Sequence, residues 1–78
     1  MNAIRRRQLE ELSSRIEEIQ RELWGVIDEE DDCRESMPEN LQNSSRYEES
    51  EACSDNLEDA MQYIDDALDA ISAAIGNN

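Results

Sequence analysis

Leucine, isoleucine and valine recur at alternating steps of three and four through Leu9, Leu12, Ile16, Ile19, Leu23 and Val26. The same rhythm returns at Leu57, Ala60, Ile64, Ala67, Ile71 and Ala74. A helix of 3.6 residues per turn gathers such positions on one side, so each run writes the seam of a coiled coil. The chain's one proline, Pro38, lies between the runs in a polar stretch. The pattern therefore predicts an all-α fold: one domain over residues 1–78, built as a long antiparallel two-helix hairpin, coiled-coil-like.

Local signals set the expected boundaries. Asn2 suits an N-cap, which opens helix 1 over about residues 3–35. Pro38 lacks an N–H and pushes Met37 away from helical angles, so a connector is expected over about residues 36–44. Ser45 followed by Glu48 has capping-box spacing, with Ser44 as a competing cap, and starts helix 2 over about residues 45–75. Gly76 suits a left-handed C-cap, with Asn77 and Asn78 trailing beyond it. Leu41, Tyr47 and Met37 are expected to order the connector as a small apolar cap. Gly25, inside helix 1, costs about 1 kcal/mol relative to Ala and points to close packing or a bend there.

A turn centred near Asn43 puts residues whose numbers add to about 86 at one level. Val26 then lies near Ala60, Leu23 near Ile64, Ile19 near Ala67 and Ile16 near Ile71, so large faces small in alternate layers. Cys33 falls level with Cys53, and both read as small buried apolar residues within reach of each other. One seam does not absorb every apolar side chain. Trp24 and Ile27 flank the first run, and Met61, Leu68 and Ile75 recur every seven residues beside the second. A two-helix hairpin leaves that shoulder exposed, and contiguous exposed apolar surface marks an interface. The expected use is a homodimer in which two hairpins form a four-helix bundle. Failing that, the shoulder docks another protein.

Composition narrows the functional classes. There is no histidine and no lysine; all seven bases are arginine. The usual catalytic base and the Schiff-base lysine are missing, no catalytic spacing is present, and no cofactor is expected. The net charge is −14. Residues 1–27 hold five acids and five arginines, whereas residues 28–78 hold sixteen acids against Arg34 and Arg46. So acidic a surface repels nucleic acid and anionic membrane and attracts basic proteins. The densest run is Asp28, Glu29, Glu30, Asp31 and Asp32, with Glu35 close behind. It lacks the alternating acids and central glycine of an EF-hand loop, so it reads as a solvated acidic patch without a specific metal site. Arg5, Arg6 and Arg7 are expected to pair within the hairpin with Asp65, Asp66 and Asp69. Without a signal peptide or membrane span, the chain reads as cytoplasmic with its cysteines as thiols.

The stretch Met37-Pro-Glu-Asn-Leu-Gln-Asn-Ser-Ser-Arg-Tyr47, the acidic segment after it, Asp55-Asn-Leu-Glu-Asp-Ala60 and the following heptad helix together resemble a family of small acidic proteins. Its members are encoded by bacteriophages and mobile elements of Firmicutes, and Pro-Glu-Asn-Leu-Gln is the distinctive element. The resemblance implies a genomic setting and a small size, and carries no activity with it. Two functional classes follow. One is a structural or protein-interaction module presenting an acidic surface; the other is an acidic nucleic-acid mimic that inhibits a DNA- or RNA-binding protein by filling a groove meant for phosphates.

Overall fold

The computed structural model describes residues 1–76. Helix α1 (Ala3–Glu35) and helix α2 (Ser45–Gly76) are joined by a connector containing a 3-10 turn at Glu39–Leu41, and no strand occurs among the described residues. The two helices pack along their length into a hairpin with extents of 59 × 15 × 12 Å.

Side chains and backbone close the helix ends. The Asn2 side chain accepts from the Arg5 N–H at 2.8 Å, which satisfies one of the donors that α1 leaves open at its start. At α2 the cap is Ser44, whose Oγ accepts from the Tyr47 N–H at 3.3 Å while donating to the Leu41 carbonyl at 2.6 Å. The connector is ordered by bonds from Leu41 N–H to the Pro38 carbonyl and from Ser44 N–H to the Leu41 carbonyl. Leu41 nonetheless stays half exposed, whereas Met37 and Tyr47 are half-buried, so Leu41 does not close over the connector as expected. α2 continues through Gly76, and no described glycine has a positive φ, so the left-handed cap predicted there is not made. Asn77 and Asn78, predicted to trail off, lie outside the described residues.

The register follows from bonds between the helices. Gln20 donates to Asp65 and Ser54 donates to Asp31, so residues level with each other have numbers adding to 85. The predicted alignment holds to within one residue. The rotation of the helices about their axes differs. Along the middle of α1 the half-buried or buried positions are Leu9, Ser13, Ile16, Gln20, Leu23 and Ile27. From residue 57 onward on α2 they are Leu57, Met61, Ile64, Leu68, Ile71 and Ile75, with Ala60 half-buried at the edge of the seam. Half of each predicted seam is kept. Ala60, Ala67 and Ala74 give way to Met61, Leu68 and Ile75, because burying the larger side chains removes more apolar area from water at about 25 cal/mol per Å².

That rotation corrects the expected interface. Ile27 is 1% exposed and Met61 5%, and both lie inside the hairpin's own seam together with Leu68 and Ile75. Trp24 is half exposed and belongs to the opposite side of α1 from Leu12, Ile19 and Val26. These three are 43%, 55% and 51% exposed, although they are apolar and the Ser13 and Gln20 that the seam takes up in line with Ile27 are polar.

Candidate interaction surface

Seam positions follow a heptad, so the residues beside the seam form two flanks. In an antiparallel hairpin the position just before the first seam residue of each heptad falls on the same side in both helices. One flank therefore combines Arg5, Leu12, Ile19, Val26 and Cys33 of α1 with Arg46, Cys53, Ala60, Ala67 and Ala74 of α2. A groove lined by Glu30, Cys33, Met37, Arg46, Glu49 and Ser50 lies on it at the loop end. The other flank combines Glu10, Glu17, Trp24 and Asp31 with Glu51, Glu58, Asp65 and Ser72. A second groove, lined by Glu10, Glu17, Leu68 and Ser72, lies there. The hairpin thus has an apolar flank and an acidic one.

The apolar flank reaches the loop end at the two cysteines. Both are exposed free thiols, contrary to the expectation of burial. The rotation that puts Ile27 into the seam carries Cys33, six residues on, out beside it.

A polar lock closes the loop end. Arg34 extends the α1 seam one heptad beyond Ile27, and Ser50 and Ser54 extend the α2 seam toward the connector. Arg34 Nη1 donates to the Ser50 carbonyl and Oγ, both at 3.2 Å, and to Ser54 Oγ at 2.9 Å. Its Nη2 meets Asp31 Oδ1 at 2.7 Å, and Ser54 Oγ donates to the same oxygen at 2.8 Å. Ser54 is 3% and Ser50 7% exposed, so their hydroxyls need these partners. The bond from Ser54 and then that from Arg34 hold the Asp31 carboxyl below the usual carboxylate range, against the opposing effect of desolvation. Asp31 in turn strengthens the hold of Arg34 on its proton.

The expected acidic patch keeps four of its six residues on the surface. Asp31 is committed to the lock and Glu30 is half-buried at a seam position, while Asp28, Asp32 and Glu35, spaced i, i+4 and i+7, stay exposed on the outer face of α1 with Glu29 beside them. Among the described residues no three carboxylates or thiols converge to hold a metal ion.

The arginines at the opposite end have not found the partners predicted for them. Among the described side chains, Arg34 and Asp31 form the one ion pair. By the register Asp69 is level with Ile16, so it stands about 14 Å along the axis from Arg7, and Asp65 is farther still. Arg6 Nη2 donates to the Met1 carbonyl, and its covered Nε has no acceptor.

Fold and surface together define an antiparallel helical hairpin of coiled-coil type with one uncovered apolar flank. Comparison with family models, curated proteins and solved structures finds no match. Among the described residues no helix is long and apolar enough to cross a membrane.

Proposed function

We propose that this chain is a non-enzymatic structural or protein-interaction module of a phage-like or mobile element, acting as a homodimer in which two hairpins make a four-helix bundle. The observation behind it is the row Leu12, Ile19 and Val26, each about half exposed, beside Ala60, Ala67 and Ala74. α2 is apolar along three heptad positions, and α1 along two with Ile27 alone on a third, where each helix of a two-stranded coiled coil uses two. Three is the width that a helix in a bundle core needs. The hairpin alone buries only Ile27 and Met61 fully among its described apolar residues, little for a domain of this length.

In this reading the apolar flank is consumed by self-association. The acidic flank and loop end then face outward, toward a basic protein partner and away from nucleic acid. Two exposed thiols suit the cytoplasm, where they stay reduced. Light scattering after size exclusion, with reductant and across a dilution series, tests the assembly. The expected mass is twice the 9.0 kDa of the chain. A monomer at every concentration would remove self-association and leave the flank for a different protein.

A further inference from the structure

We infer that the second copy covers the apolar flank head to tail, the loop end of one hairpin lying against the terminal end of the other. The inference rests on the dimer proposed above and adds its face and its orientation. The occupant is argued first from area. The chain exposes 5947 Å². A compact monomer of 9.0 kDa exposes about 4,900 Å². Each hairpin therefore carries about 1,000 Å² in excess, and two copies together hold about what a standard stable interface of 1,600 ± 400 Å² buries.

Charge decides the orientation. Residues 28–51 hold ten acids and two arginines, a net −8, whereas residues 1–15 hold four arginines against Glu10 and Glu11, a net +2. Stacking the flanks with both loops at one end would bring the two −8 ends together. Reversing one hairpin places each acidic end beside the other's Arg5, Arg6 and Arg7, which lack ion-pair partners among the described side chains of their own chain.

The residue positions fit that reversal. Ile19 is the middle of Leu12, Ile19 and Val26, Ala67 is the middle of Ala60, Ala67 and Ala74, and the register puts Ile19 and Ala67 within one residue of the same level. A two-fold axis through that level sets Leu12 opposite Val26 of the partner subunit and Ala60 opposite Ala74 of the partner subunit. The alanine row lets the two α2 helices approach closely. One row further out on α1, Arg15 comes within one residue of the level of Glu22 of the partner subunit, and Arg5 to Arg7 come level with the acidic loop end of the partner subunit. One alignment thus meets the apolar rows and sets ends of opposite net charge side by side.

Mass and a distance together test this. In the Cys53→Ser variant a nitroxide on Cys33 reports the separation of the two copies by pulsed electron resonance. The head-to-tail dimer predicts about 40 Å, from fourteen residues either side of the axis at 1.5 Å each. Loops at one end would bring the labels within about 20 Å, the span of two neighbouring helices. A dimer mass with the long distance is the expected result. A dimer mass with the short distance overturns the orientation and leaves dimerisation standing; a monomer mass overturns both. Ile19→Glu should weaken association at least about 100-fold with the helical signal retained, as expected for a charge placed in an apolar contact. Replacing Arg5, Arg6 and Arg7 with Glu should weaken it about tenfold or more while helping α1 itself, since acids suit a helix N-terminus. An unchanged dimer in both variants overturns the assigned face.

Discussion

The two halves of the hairpin are held differently. Toward the loop, Ile27, Met61, Ser50 and Ser54 are all buried, and Arg34 ties α1 to α2 through three hydrogen bonds. Toward the termini no described residue is buried, the α1 seam holds Ser13 and Gln20, and Gln20 donates to Asp65 across the helices. The loop half is finished within one chain, and the terminal half is not. Apolar surface has been left outside where the seam is weakest, which is why a second copy explains more here than a looser monomer does.

The largest effect separating the halves is expected from truncating the core. Ile27→Ala should cost about 2–4 kcal/mol, the usual range for a buried isoleucine. Ile16→Ala, on the terminal half and only half-buried, should cost less than half as much in a monomeric background such as Ile19→Glu. Urea denaturation followed by circular dichroism gives both values. Equal losses would mean that the halves are equally packed and would break the comparison.

Next in size is the lock. Arg34→Met keeps the stem that lies along the seam and removes the guanidinium, so the buried Ser50 and Ser54 hydroxyls and Asp31 lose their shared donor. The loop half should exchange its amide hydrogens faster while the terminal half stays unchanged. The same lock has a pH signature. The Asp31 carboxyl is depressed in the folded chain, so its contribution is present above the ordinary carboxylate range and is lost as pH falls through the depressed value. Wild type should melt above Asp31→Asn at pH 7, and the gap should close in strong acid. Measurements belong on either side of the isoelectric range, where a chain with 21 acids and seven bases loses solubility. A gap that persisted undiminished at pH 2 would mean that the Asp31 carboxylate does not support the lock.

How much of this was legible in the sequence depends on which geometric variable is asked for. The helix start at Asn2, the break around Pro38 and the level of each residue against its partner follow from caps, proline chemistry and counting from the turn. Rotation about the helix axis does not follow from period. On α1 the apolar stripe through Leu12, Ile19 and Val26 competes with one that holds Ser13 and Gln20 before Ile27. On α2 the Leu57 stripe satisfies steps of three and four with either the Ala60 or the Met61 stripe. Side-chain size decides between them, as Met61, Leu68 and Ile75 outweigh Ala60, Ala67 and Ala74. The lock had a signal of its own. Stepping back by sevens from Met61 gives Ser54, stepping from Leu57 gives Ser50, and stepping forward from Ile27 gives Arg34. Polar residues at the continuation of a seam point to a hydrogen-bonded layer, but the dense acids nearby direct attention to charge. That the terminal arginines lack partners depends on overhang, which no local pattern encodes.

The smallest effect expected is also the one that separates helix formation from everything else. Gly25 lies on the outer face of α1, and a methyl group added there meets no atom within 4 Å. The close packing expected of a glycine inside a helix is therefore absent, and nothing in the seam or on the apolar flank depends on it. Gly25→Ala should stabilise the chain by about 0.5–1 kcal/mol through helix propensity and the reduced freedom of the unfolded chain. Since the position faces away from both flanks, the gain should appear equally in wild type and in the Ile19→Glu background, and the dimer affinity should not move once folding is complete. A change in affinity would show that the outer face of α1 also meets the second copy, and the bundle would then have to be built around a different side of the hairpin.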